Sequence, residues 1–551
     1  MRCSKTFSNC RFKLEVGSLM NGMRRDGAKS VVALVASLVL SCLTVFLFFI
    51  WEGNVGLSLW DEGFLWYGVQ RVVAGEVPIR DFFAYDPGRY YWTAALVGMM
   101  GDSGIMQVRA AAAVFQAIGL FTALLLIINS AKIRAHSWPF WGVAAVTLAV
   151  WMFPRHKLFD IALSILLIGA LTFLIARPVA SRFFAAGVAV GLAAVFGRNH
   201  GVYGMVASSG VFGWLSINSE VRANVARGFV YWAIGVVVGF LPIIIMALLV
   251  PGFGKEFWKS IEFLFEQGAT NLPLPLPWPW NADFGNKPVG DAARDFLVGV
   301  FFIGVLAFGW LGLIWAVRAR RQHRTVPPAL AAAIFLAIPY SHYVLSRADV
   351  GHLALSVFPT LIGVFILLTT LDVKARWILS AGLCAASLWV MTIQHPGWQC
   401  AANGNCVDVV VSGSKLKVDA ATAADVEFLR DVAKLYTPNG ESFVAAPGWP
   451  GAYALLDRRS PMWEIYALVP RNGSFEREEV ERIKTAAPRF VLIYDFALDG
   501  REELRFKNTH PLTYHYIVDN FDLVPLPSHP GYLLYKPRSA NPNATLRGGA
   551  S

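Results

Sequence analysis

The residues of this chain best suited to chemistry lie in short polar islands between long apolar stretches. Asp61 and Glu62 stand side by side just after the first stretch, and Arg80 and Asp81 follow in the same island. Asp160 closes the run Pro154-Arg-His-Lys-Leu-Phe-Asp160, Arg198 and His200 occupy Gly197-Arg-Asn-His-Gly201, and Arg347 and His352 lie in Ser346-Arg-Ala-Asp-Val-Gly-His352. A carboxylate in such a setting can take the proton of a reacting hydroxyl. Ionisable groups beside hydrocarbon cost roughly 2.5–3.5 kcal/mol at a helix centre, so a gathering of acids, histidines and arginines marks a polar site. For any single residue the alternative is an interfacial position or a helix cap, and Asp160 in particular reads equally as the cap of the helix it opens. The acids and histidines also invite a metal. Asp61, Glu62, His200 and His352 nevertheless sit on separate islands without the spacing of a helical His-x-x-x-His pair, so no metal is expected.

The elements that must position these islands are membrane helices. Hydrophobic residues make up 56% of the chain and charged residues 15%, and the mean hydropathy is +0.49. Surface of that kind needs lipid. A hydrocarbon core of roughly 30 Å takes about 20 helical residues. Segments 31–51, 105–128, 138–153, 161–176, 183–196, 202–217, 230–250, 296–317, 330–344, 353–371 and 377–393 are the candidates, giving about eleven spans. The first run is long, begins late and lacks a small-residue cleavage pattern, so it is expected to remain as an anchor.

Basic residues set the orientation. Arg2, Lys5, Arg11, Lys13, Arg24, Arg25 and Lys29 hold the amino-terminal arm in the cytoplasm. Threading from there puts Lys132 and Arg134, Arg177 and Arg182, Arg222 and Arg227, Arg318 to Arg324, and Lys374 and Arg376 on that same side. The net charge of +11 is thus largely a topology signal, with no nucleic-acid motif behind it. Every island named above then faces outward, as does everything after the last span.

Between the first two strong spans, Asp61 to Ala74 reads as an amphipathic interfacial helix with aromatic anchors, stopped by Gly75 and Pro78. A second short helix starts near Pro87-Gly88. The loop 251–295 holds an amphipathic segment, Lys255 to Gln267, and an extended proline run from Leu272 to Trp280. The domain reading is an arm over 1–30, a membrane domain over 31–394 with outer loops 52–104 and 251–295, a soluble α/β domain over 395–538, and a disordered tail over 539–551. In the soluble domain, strands are expected at 407–411, 443–446, 490–494 and 531–535 and helices at 421–435 and 475–487. Of the six cysteines, Cys400 and Cys406 are close enough in sequence to pair in an oxidising compartment.

Trp60-Asp-Glu-Gly63, followed by Ala74-Gly-Glu-Val-Pro-Ile-Arg-Asp-Phe82 and Tyr85-Asp-Pro-Gly88, resembles the first external loop of the glycosyltransferase C superfamily. The likeness is to the polyprenyl-phosphate-sugar transferases related to glycosyltransferase family 39 and to the aminoarabinose transferases. It covers the membrane domain in topology and about thirty residues in motif, and the carboxyl-terminal domain only in placement and size. The fold class it implies is an α-helical polytopic membrane protein of the glycosyltransferase C kind with a carboxyl-terminal soluble α/β domain.

The resemblance also implies a reaction. Asp61 becomes the general base, with Glu62 beside it. A sugar on a lipid phosphate already has a good leaving group, so the acceptor hydroxyl needs a base on the opposite face, and direct displacement inverts the anomeric centre. The departing phosphate needs cations, for which Arg347 and Arg80 rank first. Asp81, Asp160, Arg198, His200 and His352 complete the substrate-binding set. Arg155 and Lys157 read equally or better as residues reaching to lipid head groups. Some members of the superfamily use a divalent cation and the nearer relatives do not, so no cofactor is favoured. The expected partners are a polyprenyl-phosphate-linked sugar donor, the bilayer and an acceptor the sequence does not identify. The expected place is a bacterial inner membrane, with the amino terminus cytoplasmic and the last domain periplasmic. The competing reading is a transporter or flippase of a lipid-linked saccharide, against which the chain shows no internal repeat and no matched broken helices.

Overall fold

The computed structural model describes residues 31–130 and 138–538. The expected cytoplasmic arm, Lys132 and Arg134, and the expected tail from 539 lie outside the described residues. In chain order the first elements are α1 (Val31–Glu52), α2 (Asp61–Val73), α3 (Pro87–Met100), α4 (Ile105–Ser130), α5 (Trp138–Val150), α6 (Leu158–Ala176), α7 (Ala180–Phe196) and α8 (Arg198–Leu215). They continue with α9 (Ser219–Leu249), α10 (Phe253–Gln267), α11 (Val289–Arg321), α12 (Pro328–Ser346), α13 (Val350–Ser356), α14 (Phe358–Leu368) and α15 (Val373–Met391).

Each apolar segment expected to span is helical. Among the described residues seven helices are long and apolar enough to cross a membrane, α1, α4, α6, α9, α11, α12 and α15, and α13 with α14, bent by 56°, make an eighth if the pair counts as one span. The expectation of about eleven also counted α5 and α7, which are apolar but shorter, and α8, whose first turn carries Arg198, Asn199 and His200.

The chain divides into two compact units, and among the described residues one comprises 31–51, 112–242 and 264–398. Its centre is α12, which packs against α6, α8, α11 and α14 and buries every residue from Ala329 to Ala337. A second contact is made by glycine. A Cβ on Gly187 or Gly191 of α7 would stand 2.1–2.2 Å from a carbonyl oxygen of α9, and one on Gly235 or Gly239 of α9 would stand 2.2 Å from a carbonyl of α7. The two G-x-x-x-G faces let the backbones touch, which lipid-embedded helices use in place of a hydrophobic driving force. Contacts also join ends that the threading places on one side. Arg320 Nη2 donates to Leu215 O, Arg376 lies over the Phe140 ring, and at the other end His395 Nε2 is 2.9 Å from Val150 O.

The other unit comprises 52–111, 243–263 and 399–538. Its later elements are α16 (Pro396–Asn403), β1 (Cys406–Val411), β2 (Ser414–Asp419), α17 (Ala420–Tyr436), β3 (Val444–Ala446), α18 (Pro450–Leu456), α19 (Gly473–Ala486), β4 (Val491–Tyr494), α20 (Phe506–Thr509), α21 (Pro511–Asn520), β5 (Phe521–Val524) and β6 (Tyr532–Pro537). The strands form an antiparallel hairpin β1-β2 and a four-stranded sheet in the order β3-β4-β6-β5, parallel only between β3 and β4. Val444, Ile483, Val491, Ile493, Phe506 and Ile517 are central to its core. Cys400 and Cys406 form a disulfide.

The helix expected at 61–74 is present and ends where Gly75 takes φ +90°, but it is no lipid-facing anchor. Trp66 is fully buried and Tyr67 is 1% exposed, because α2 packs against α3 and α18. Gly63 makes that approach possible, since a Cβ there would stand 2.5 Å from the Gly451 backbone. Helix α10 does keep an apolar face outward, with Trp258 61% and Phe265 82% exposed.

Candidate active site

Asp61 and Glu62 open α2, where the helix dipole favours acids. Neighbours in sequence, they have different partners. Glu62 is buried and accepts two hydrogen bonds from Arg109, Nε to Oε1 and Nη2 to Oε2, both 2.7 Å. The same guanidinium donates to the carbonyls of Gly53 and Gly56. Glu62 and Arg109 therefore brace the entry of the first loop from α4. Asp61 Oδ1 accepts instead from the phenol of Tyr466, at 2.8 Å.

Arg80 and Asp81 form a bidentate pair, with Arg80 Nε on Oδ1 at 2.8 Å and Nη2 on Oδ2 at 2.7 Å. Burial pushes the Asp81 carboxyl up, but Arg80 and the Val77 N–H more than offset it and leave it below the ordinary carboxylate range. Arg80 Nη1 also reaches Pro251 O at 3.4 Å. Much of its planar fork is thus committed to Asp81.

In the unit built around α12, Asp160, His200 and the tyrosines of α12 form one buried cluster. His200 Nε2 is 2.9 Å from Asp160 Oδ1, and its Nδ1 is 2.7 Å from Tyr340 Oη. A proton on Nε2 given to Asp160, with Nδ1 accepting from Tyr340, satisfies both contacts. Tyr343 Oη lies 3.5 Å from Asp160 Oδ1 and accepts from Asn199 Nδ2. Asp160 lies in the first turn of α6, and through His200 and Tyr343 it also links α6 to α8 and α12. Arg198 is half-buried at the start of α8.

Arg347 and His352 meet at one acid. Arg347 Nε donates to Asp349 Oδ2 at 2.8 Å and Nη1 to Leu272 O at 3.0 Å, while His352 Nδ1 is 2.8 Å from Asp349 Oδ1. Asp349 also caps α13 through the His352 N–H. Burial raises the Asp349 carboxyl, yet His352 and Arg347 outweigh it and hold it at about 2. Leu272 opens the proline run, so Arg347 ties that run to the end of α12. Among the described residues no group of three or more His, Cys, Asp or Glu is placed to hold a metal ion.

The sequence reading missed Arg109, Tyr466, Tyr340, Tyr343 and Asn199. Arg109 had a signal, a lone cation inside an apolar run, which is costly unless paired. Tyr466 had none, since 405 residues separate it from Asp61.

No family model matches the chain. No curated protein sequence matches it either. Solved structures do. ArnT from Cupriavidus metallidurans bound to undecaprenyl phosphate superposes with a TM-score of 0.52 at 14% identity, over 91% of this chain and 97% of that one. The archaeal oligosaccharyltransferase AglB from Archaeoglobus fulgidus, in complex with an inhibitory peptide and a dolichol-phosphate, gives 0.51 at 10% identity, over 91% and 74%. At such identities the likeness speaks for fold. The chain is a polytopic α-helical membrane protein that shares the fold of these two structures.

Proposed function

We propose that the protein is a membrane glycosyltransferase that moves a sugar from a polyprenyl-phosphate donor to a hydroxyl of an envelope lipid, glycan or protein, with inversion. Asp61 takes the acceptor proton as the acceptor oxygen bonds to the anomeric carbon. The bond from that carbon to the phosphate oxygen breaks, and its electron pair leaves with the polyprenyl phosphate. The carrying observation is the division of labour among the first-loop acids. Glu62 and Asp81 each accept a bidentate guanidinium, which lowers the basicity of Asp81, and the phenol of Tyr466 donates to Asp61 Oδ1 and orients that carboxylate. The undecaprenyl phosphate of the ArnT structure and the dolichol-phosphate of the AglB structure support a lipid phosphate as the leaving group.

Arg347 is proposed to hold the donor phosphate, with His352 beside it, and Arg80, largely neutralised by Asp81, moves behind them. Asp160 and His200 are assigned to holding α6, α8 and α12 in register. The reaction is placed on the periplasmic face of a bacterial inner membrane. Purified protein should release polyprenyl phosphate from a polyprenyl-phosphate sugar when acceptor is present, and Asp61→Asn should lower that rate by roughly 10²- to 10⁴-fold with donor affinity kept. Translocation of intact donor without release would replace this reading with the flippase.

A further inference from the structure

We propose that Tyr466 is a positioning residue for Asp61, so that the carboxyl-terminal domain supplies part of the catalytic centre. The inference rests on Asp61 being the base. A phenol donating to Oδ1 fixes the rotation of the carboxylate and so sets where Oδ2 points.

The segment carrying Tyr466 is held on every side, as a positioning device must be. Ser460 N–H donates to the Tyr67 hydroxyl of α2 at 3.0 Å. Trp463 Nε1 donates to Ile79 O at 3.0 Å, and Phe83 N–H donates back to Trp463 O at 2.8 Å. Ala467 N–H donates to Pro447 O at 2.6 Å. Between these anchors Glu464 is fully buried in a charge network. Its Oε1 accepts from Arg471 Nε at 2.7 Å, and its Oε2 is 2.9 Å from His510 Nε2. The Arg471 guanidinium lies 3.4 Å from the ring centroid of Phe263 and 4.3 Å from that of Phe475, which joins α10 and α19 to the same point. The Tyr466 ring packs against Phe64 and Trp60, at 5.5 and 6.2 Å between centroids. Trp60 and Phe64 flank Asp61 in sequence, so the ring and the carboxylate it serves share one wall.

A merely structural tyrosine and a positioning one differ in what Tyr466→Phe does. The change removes one oxygen and keeps the ring contacts. Loss of a hydrogen bond to a charged group should move the acid limb of the pH–rate profile up by about one pH unit and lower kcat about tenfold, with donor KM unchanged. In Asp61→Asn the added Tyr466→Phe should cost little more, because the two act as one unit. Donor KM and the melting temperature report whether the variant is folded. A wild-type profile and kcat for folded Tyr466→Phe, alongside an inactive Asp61→Asn, overturns the role of Tyr466 and leaves the transferase standing. Full activity of Asp61→Asn overturns both.

Discussion

Glu62 and Arg109, 47 residues apart, close a buried bidentate ion pair whose guanidinium also caps the carbonyls of Gly53 and Gly56. An acid beside a catalytic candidate is easily taken for a second base. Its partner supports a structural role instead. Breaking one side of a buried pair leaves the other charge uncompensated, at a cost of roughly 3–5 kcal/mol. Glu62→Gln should therefore lower the melting temperature of the detergent-solubilised protein. Its transfer rate per folded molecule should fall far less than that of Asp61→Asn. Equal losses of rate at unchanged stability would return Glu62 to the chemistry.

A second buried acid predicts a pH dependence. Burial raises the Glu479 carboxyl to about 7, with Glu464 adding to the rise and Arg482 opposing it. A carboxylate whose pKa is higher in the folded state favours folding while it is protonated. That contribution is fully present below the ordinary value near 4.5 and is lost as pH rises through about 7. A shift of this size corresponds to something on the order of 3 kcal/mol. Glu479→Gln should flatten stability between pH 5 and 8 and give a higher melting temperature than the wild type at pH 8. An unaltered slope in thermal scans across that range would count against the assignment.

The glycine contact between α7 and α9 predicts a steric loss. A side chain at Gly235 would start 2.2 Å from Phe184 O, where backbone rather than a flexible side chain must yield. Gly235→Val should cost about 1–3 kcal/mol or more by overpacking. Gly213, whose Cβ position is open within 4 Å, gives the control, as Gly213→Ala should leave the melting temperature nearly unchanged.

These particulars show what the sequence could and could not disclose. Spans were legible because twenty apolar residues carry their own signal, and each expected segment is helical. The strands at Val491–Tyr494 and Tyr532–Pro537 were legible as short apolar runs. Ser414–Asp419 was missed because its exposed lysines alternate with the buried Leu416 and Val418, so no apolar run stands out. Helix α2 was seen and its surroundings misjudged: Trp66 and Tyr67 look like lipid anchors until α18, almost four hundred residues on, is found packed against them. Tyr466 and the cluster of His200, Tyr340 and Tyr343 depend on contacts across the fold, which no local window contains.

Orientation gives a prediction in cells. The basic ends of α11 and α15 are assigned to the cytoplasm, and the loops holding Asp61 and Arg347, with the carboxyl-terminal domain, to the other side. A periplasm-dependent reporter fused after Ser551 should be active, and one placed between Arg321 and Pro327 should be silent. The reverse pattern would invert the protein and remove the periplasmic site.

Arg347 separates phosphate binding from lipid anchoring. Its Nε and Nη1 are engaged by Asp349 and Leu272, which fixes the plane of the guanidinium and removes the freedom that a residue reaching for head groups would need. Asp349, held at about 2, stays ionised at any physiological pH, so the clamp does not loosen with modest acidification. A preset fork can meet a phosphate without a further loss of side-chain entropy, which a lysine cannot reproduce. Arg347→Ala should weaken donor binding by about 1.5–3 kcal/mol, the range for hydrogen bonds to charged groups, which is a factor of ten or more in Kd. Arg347→Lys should restore only part, since it keeps the charge and loses the fork. Binding of a polyprenyl-phosphate sugar to the purified variants measures this directly. Wild-type affinity in Arg347→Ala would leave the residue as the strut between α12 and the proline run, and the donor phosphate would have to be sought at another cation.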